Sequence, residues 1–232
     1  MVTANRTYQT RRDALQVYFD RTAVDGWKKL VSTEKVSRIR QTVREGRDQM
    51  RLHLISRLPA DLHGWRILDA GCGSGVLAHA LAERGADVLG IDLSPQMIEF
   101  ATERYAGEPL SGSLRFVAGD MLSFDDGRFD AVVAMDSLIH YDLADAADAV
   151  ARIVDHIDQR AVFTIAPYTH ALGAMHVAGK LFPRSDRSPA VVPTRSAALA
   201  DAVKQRVGTT IVETQRVSSG FYISQGMEVQ VT

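Results

Sequence analysis

Apolar and polar positions follow two different rhythms along the chain. The first sixty residues repeat with a helical period, whereas from about residue 66 short apolar runs alternate with amphipathic stretches. Arg11 to Phe19 reads as a short helix whose apolar content is Leu15, Val17, Tyr18 and Phe19, and Gly26-Trp27 breaks it. From Lys35, the residues Val36, Ile39, Val43, Met50, Leu54 and Leu58 recur every three to four positions. One gap, filled by Gly46-Arg47, predicts a turn that packs closely or bends, and Pro59 ends the helix. Two helices cannot bury a core by themselves, so this segment is expected to pack on the main body of the chain.

Strands are predicted at Ile67–Asp69, Asp87–Ile91, Leu114–Ala118, Phe129–Met135 and Ala161–Ala166. Between them lie helices from Val76 to about Arg84, from Ser94-Pro95 onward, and from Leu143 to His156. Strand–helix alternation with right-handed crossovers gives an α/β, doubly wound, Rossmann-like sheet. Beyond Pro167 the rhythm changes. His170–Leu181 and Ser196–Val207 read as helices around a basic Phe182–Pro189 loop, and Thr209–Val217 with Phe221–Val231 predicts a C-terminal antiparallel hairpin that adds one antiparallel strand at the C-terminal edge of the sheet. The expected division is an N-terminal helical arm or lid over 1–60 and a main domain over 61–232, with 168–208 on the substrate side.

With 232 residues and 46 % hydrophobic content, the chain can bury a full-sized core without disulfides or a metal. Its single cysteine, Cys72, cannot pair internally and fits a reducing, cytoplasmic setting. No apolar run approaches the ~20 residues that span a bilayer, and no secretory signal is evident. Charge, however, is uneven. Residues 1–60 hold 13 Lys+Arg against 6 Asp+Glu, a balance of +7, and the remainder stands at −8. Such an arm suits an anionic ligand, an acidic partner or peripheral contact with a membrane; nucleic acid is disfavoured because few aromatics accompany the charge. A merely solvated helix face is an equally open reading.

The candidate chemistry centres on Ile67-Leu-Asp-Ala-Gly-Cys-Gly-Ser-Gly75. A dinucleotide fingerprint needs a glycine at position 76, which is Val; the third glycine arrives one residue early, at Gly75. The D-x-G-x-G-x-G spacing resembles motif I of the class I S-adenosylmethionine-dependent methyltransferases. On that resemblance Gly71, Gly73 and Gly75 would admit the methionine part of the cofactor, with Asp69 capping the turn within the cofactor set, and Asp92 would accept from the ribose hydroxyls. Asp120 would accept from the adenine amine with Met121 against the ring, and Met97 and Asp136 complete the cofactor set. A methyl acceptor would meet the sulfonium where the fourth strand ends, at Asp136-Ser-Leu-Ile-His140-Tyr141.

Five segments carry a closer resemblance: Tyr18-Phe-Asp-Arg-Thr22, Gly26-Trp-Lys-Lys-Leu30, Val43-Arg-Glu-Gly-Arg47, Leu138-Ile-His-Tyr141 and the Phe182–Pro189 loop. Together with Ser219-Gly-Phe-Tyr-Ile-Ser-Gln225 they are similar to the magnesium protoporphyrin IX O-methyltransferases of bacteriochlorophyll synthesis. The resemblance implies methylation of one porphyrin propionate, with S-adenosylmethionine as donor and S-adenosylhomocysteine (SAH) as product. A bidentate Arg would blunt the reacting carboxylate, so Arg184, Arg187 or Arg195 is expected at the other propionate and His140 or Tyr18 near the reactive one, with Trp27 in a lid over the ring. No protein metal site is expected. A magnesium chelatase subunit is the partner it suggests, and a peripheral place on the photosynthetic membrane the location. Leu30-Val31 stand where relatives carry aromatics, so no catalytic tyrosine is transferred there. A methyltransferase for another small acid or quinone-like acceptor, and a non-catalytic tetrapyrrole-binding regulator, are the competing readings.

Overall fold

The computed structural model describes residues 6–20, 38–123, 126–168 and 191–231. Trp27, Arg184, Arg187, the expected helix at His170–Leu181 and the Phe182–Pro189 loop lie outside the described residues.

In chain order the elements are α1 (Arg6–Tyr18), α2 (Arg38–Ser56), β1 (Arg66–Ala70), α3 (Val76–Ala82), β2 (Asp87–Asp92), α4 (Pro95–Arg104) and β3 (Ser113–Ala118). Next come β4 (Phe129–Ala134), a single 3₁₀ turn (Leu138–His140), α5 (Leu143–Asp155), β5 (Ile157–Ile165), α6 (Ser196–Val207), β6 (Ile211–Ser219) and β7 (Tyr222–Gln230). Seven strands form one sheet in the order β3-β2-β1-β4-β5-β7-β6. The first five run parallel, and β7 is antiparallel to both of its neighbours. The order reverses beside β1, which puts a crevice at the carboxyl ends of β1 and β4, where open α/β sheets bind ligands.

Local chemistry sets the element starts. The Ser94 hydroxyl accepts from the Met97 N–H at 3.2 Å, and Pro95 takes the first helical position of α4, where its missing N–H costs nothing. Asp142 likewise caps α5 through the N–H groups of Ala144 and Asp145. Alternate residues of the parallel strands face opposite cores. Leu68, Leu89 and Val132 pack toward α1, α5 and α6, while Ile67, Val88 and Val133 pack toward α2 and α3. Strands buried on both faces read as unbroken apolar runs, as β4 does.

Three sequence expectations needed adjustment. The first helix begins at Arg6, five residues early, because Tyr8 is buried and stacks on Tyr141 with ring centroids 4.8 Å apart. Strand β5 begins at Ile157, four residues early: Asp158-Gln159-Arg160 look unlike a buried strand, yet Ile157 pairs with Phe129 ahead of a register shift. The hairpin contributes its antiparallel strand to the inside of the sheet, since β7 lies between β5 and β6 and leaves β6 at the edge.

At Gly46-Arg47 the helix packs closely. A Cβ on Gly46 would stand 2.6 Å from Cδ1 of Tyr222, so only glycine lets α2 approach β7 this far. Met50, Leu54, Ile55, Leu58 and Leu62 are all buried against the sheet. At about 1.5–3 kcal/mol for each large side chain, they anchor α2 and the turn after it to the sheet.

Candidate active site

The glycine turn is built around Asp92. Its Oδ2 accepts from the Gly73 N–H at 2.9 Å and its Oδ1 from the Ser94 N–H at 3.0 Å, so one carboxylate ties the loop after β1 to the turn after β2. The Ile91 carbonyl accepts from both Gly71 and Cys72. Gly71, Gly73 and Gly75 all take left-handed backbone conformations, and each has a separate reason to lack a side chain. A Cβ on Gly71 would lie 2.5 Å from that of Ser137; one on Gly75 would lie 2.5 Å from the Phe116 ring; one on Gly73 would meet nothing within 4 Å.

Gly73 faces a cavity of about 390 Å³, within the range of small-molecule sites. Its floor is the loop from Asp69 to Ser74. Leu93, Met97, Met121 and Asp92 line the cavity, and Leu15, Phe19, His140 and Tyr141 cluster as its roof. Helix α2 contributes Arg44, Arg47, Asp48 and Arg51 to the lining, and α4 contributes Arg104.

Two carboxyl groups in the cavity are displaced from their ordinary behaviour. Asp69 is buried and its Oδ2 has no protein partner, which pushes its pKa up to about 7; burial is the main cause, and the charge on Asp92 adds to it. Burial also raises Asp92, opposed by the Ser94 and Gly73 N–H bonds. A buried carboxylate oxygen with nothing to bond is costly in an isolated protein and suits a cationic ligand group. The Cys72 thiol is pushed up by burial and by both acids, so it is no nucleophile.

The end of β4 is the most constrained point. Asp136 has φ +57°, the one described non-glycine residue with positive φ, a conformation costing roughly 1–3 kcal/mol. Its N–H donates to Thr164 Oγ1 at 2.7 Å, and that hydroxyl lies 3.2 Å from Oδ1. Arg47 donates to Oδ2 at 2.5 Å, and the Tyr222 hydroxyl sits 3.1 and 3.2 Å from the two oxygens. The left-handed turn then leads into Ser137 and the 3₁₀ turn that carries His140, whose ring meets Phe19 edge-on at 6.1 Å.

Comparison with known proteins places this geometry. Residues 67–159 match a methyltransferase domain, and residues 134–231 match the magnesium-protoporphyrin IX methyltransferase C-terminus. The magnesium-protoporphyrin O-methyltransferase of Rhodobacter capsulatus is 46 % identical over 222 residues, covering 95 % of this chain and 97 % of its own. The chain belongs to the magnesium-protoporphyrin O-methyltransferase family. The crystal structure of magnesium protoporphyrin IX methyltransferase from Synechocystis with bound SAH superposes with a TM-score of 0.80 at 26 % identity, covering 95 % of this chain and all of that one. A ubiquinone biosynthesis O-methyltransferase of Methylocella silvestris is 39 % identical, but over only 53 % of this chain. The enzyme is therefore an S-adenosylmethionine-dependent methyltransferase.

Of the residues singled out in this methyltransferase from sequence, Asp69, Gly71, Gly73, Asp92, Met97, Met121, Asp136 and His140 line one cavity. Four others are placed differently. Gly75 serves packing of α3 against Phe116 and does not line the cavity. Asp120 also lies outside the lining: its Oδ1 accepts from the Tyr8 hydroxyl at 2.7 Å and its Oδ2 from Arg12 at 3.3 Å, so it fastens α1. Tyr18 falls off the inward face of α1, which is set by Tyr8, Leu15 and Phe19; the neighbouring Phe19 takes the place on the roof. Arg195 is exposed and stacks on the Tyr168 ring at 4.9 Å. Asp136 lines the cavity, but with its carboxylate already held by Arg47, Tyr222 and Thr164.

Sequence reading overlooked the arginines. Arg44, Arg47, Asp48 and Arg51 are spaced i, i+3, i+4, i+7 and share one face of α2. That periodicity was legible, but a charged helix face is by default read as solvated. Among the described residues no group of three or more His, Cys, Asp or Glu could hold a metal ion, and no helix is long and apolar enough to cross a membrane.

Proposed function

We propose that the enzyme methylates a propionate carboxylate of magnesium protoporphyrin IX, giving the monomethyl ester and SAH. The observation that carries this reading is the 46 % identity to the Rhodobacter capsulatus magnesium-protoporphyrin O-methyltransferase along nearly the whole of both chains. When bound, S-adenosylmethionine supplies an electrophilic methyl group on a sulfonium.

The cavity's donor set fits that cofactor end to end. Asp92 keeps lone pairs for the ribose hydroxyls beyond those used by Gly73 and Ser94. The unpartnered Asp69 Oδ2 suits the α-ammonium, and Arg51 of α2 suits the α-carboxylate, Arg47 being engaged with Asp136. Met97, Met121 and Leu93 offer apolar contact to the purine. A propionic acid, with an ordinary carboxyl pKa of ~4.3, is already ionised at neutral pH, so no base is needed. The residues at the end of β4 have one task, to align acceptor and methyl donor, which can supply roughly 7–11 kcal/mol. His140 in the roof is the polar side chain suited to orient the acceptor, and Leu15, Phe19 and Tyr141 exclude water.

Incubating the protein with S-adenosylmethionine and magnesium protoporphyrin IX should give a product ~14 Da heavier, the net addition of one CH₂. No mass gain on the porphyrin, with gain on a quinone-like acceptor, would overturn the assignment. Transfer of substrate from a magnesium chelatase subunit, and peripheral membrane contact through the basic N-terminal segment, belong to the same reading. Co-sedimentation with that subunit and flotation with anionic vesicles test them.

A further inference from the structure

We propose that Tyr222 and Arg47 are positioning residues for methyl transfer. With Thr164 they clamp Asp136 in its left-handed conformation and so fix the turn that carries Ser137 and His140 over the glycine loop. The inference rests on the methyltransferase reading above and assigns work to the C-terminal hairpin and to α2.

The clamp draws on three elements that meet at one residue. Arg47 comes from α2, Thr164 from β5 and Tyr222 from β7, and all three bond to Asp136 at the end of β4. Two further close approaches serve this meeting. Gly46 lets α2 press on the Tyr222 ring, and Gly220 lies where a Cβ would collide with Thr42 Oγ1. Glycine is thus used on both sides of the α2–hairpin contact to bring Arg47 and Tyr222 to the same carboxylate. Downstream, Ser137 fills the space left by Gly71, so the backbone angle at Asp136 also sets how the turn seats on the cofactor loop.

Tyr222 acts as a donor and not as a base. Burial and the neighbouring Asp136 charge hold its hydroxyl protonated far above neutrality. Releasing one of its bonds would let Asp136 relax toward an ordinary φ and swing His140 away from the acceptor. A displacement of about 1 Å in a reacting geometry can cost on the order of a hundredfold in rate.

The test uses Tyr222→Phe, which removes one oxygen, and Arg47→Lys, which keeps the charge but not the guanidinium. Calorimetric SAH affinity, melting temperature, kcat and KM for magnesium protoporphyrin IX are measured for each. The expected result is a fall in kcat of about tenfold or more, with SAH affinity and KM within about twofold and melting lowered by a few degrees but still well above the assay temperature. A third variant isolates the backbone effect: Asp136→Gly, which tolerates positive φ, should retain more activity than Asp136→Ala. Wild-type kcat in both clamp variants overturns the inference, as does a loss of kcat that merely follows loss of folded protein, or equal activity of the glycine and alanine variants. Absence of turnover in the wild-type enzyme would instead overturn the substrate assignment, so the two failures are distinct.

Discussion

Asp69 and Asp92 face one cavity from the ends of adjacent strands, and charge on the second disfavours charge on the first. Asp92 is compensated by two backbone N–H groups, whereas Asp69 has the Ala78 N–H alone and its Oδ2 has no partner. Asp69 is the acid left waiting for a cation.

This gives cofactor binding a pH dependence. With its pKa at about 7 in the folded protein, Asp69 retains a proton between roughly pH 4 and 7 that the unfolded chain has lost. Stability of the free protein should therefore fall as pH rises through that window. Affinity for S-adenosylmethionine should rise, because the ammonium needs the ionised acid. Calorimetry should show affinity increasing about tenfold or more from pH 5.5 to 8, with proton release on binding below pH 7. In Asp69→Asn the affinity should be weak and nearly flat with pH.

Gly73 and Gly75 should fail in opposite ways. Gly73→Ala puts a methyl into the cavity at φ +52° without touching protein within 4 Å. Its left-handed strain costs roughly 1–2 kcal/mol, while SAH affinity should drop at least about tenfold. Gly75→Ala adds overpacking against the Phe116 ring to similar strain, roughly 1–3 kcal/mol more. Thermal melting should show the larger loss for Gly75→Ala, and calorimetry the larger loss for Gly73→Ala.

The position of α1 over the cavity depends on Asp120. Leu15 and Phe19 line the cavity from a segment that Tyr8 and Arg12 tie to that carboxylate. Tyr8→Phe combined with Arg12→Gln removes two hydrogen bonds, one of them to a charged donor, at about 1–3 kcal/mol each. SAH should dissociate several-fold faster in stopped-flow measurements, and trypsin should cut near Arg11 sooner. An unchanged dissociation rate would show that α1 does not govern release.

Glu228 provides a control outside the cavity. It is fully buried on β7 and bonded by Arg57 at 2.6 Å and Arg160 at 3.5 Å. Removing a partner from a buried acid can cost about 3–5 kcal/mol, but Arg57 is itself two-fifths exposed, so Arg57→Ala should cost nearer ~1–2 kcal/mol after solvent screening. For a chain of this size that lowers melting by roughly 2–8 °C. Adding Glu228→Gln should restore part of the loss, with kcat unchanged throughout.

Legibility in the sequence tracked locality. The glycine turn, the Ser94-Pro95 start and Ser196–Val207 depend on neighbouring residues and could be read directly. Tyr8, Asp120 and Tyr222 could not, because their partners lie 112 and 86 positions away along the chain. Asp120 shows the point most sharply. A lone acid after a strand carries no local sign that a tyrosine 112 positions earlier will bond to it. The arginines of α2 had the right spacing, but the sequence carries no sign of which face of a helix meets a cavity.

Strand β7 lies between β5 and β6, although β6 is made first. On the ribosome, β6 emerges with no strand to pair with, and it must wait for β7 to slot in against β5. The half of the sheet that carries the glycine turn can form earlier, from residues already released. Tyr222 reaches Asp136 only with this last insertion. The clamp on Asp136 thus depends on a strand that has to dock between two others.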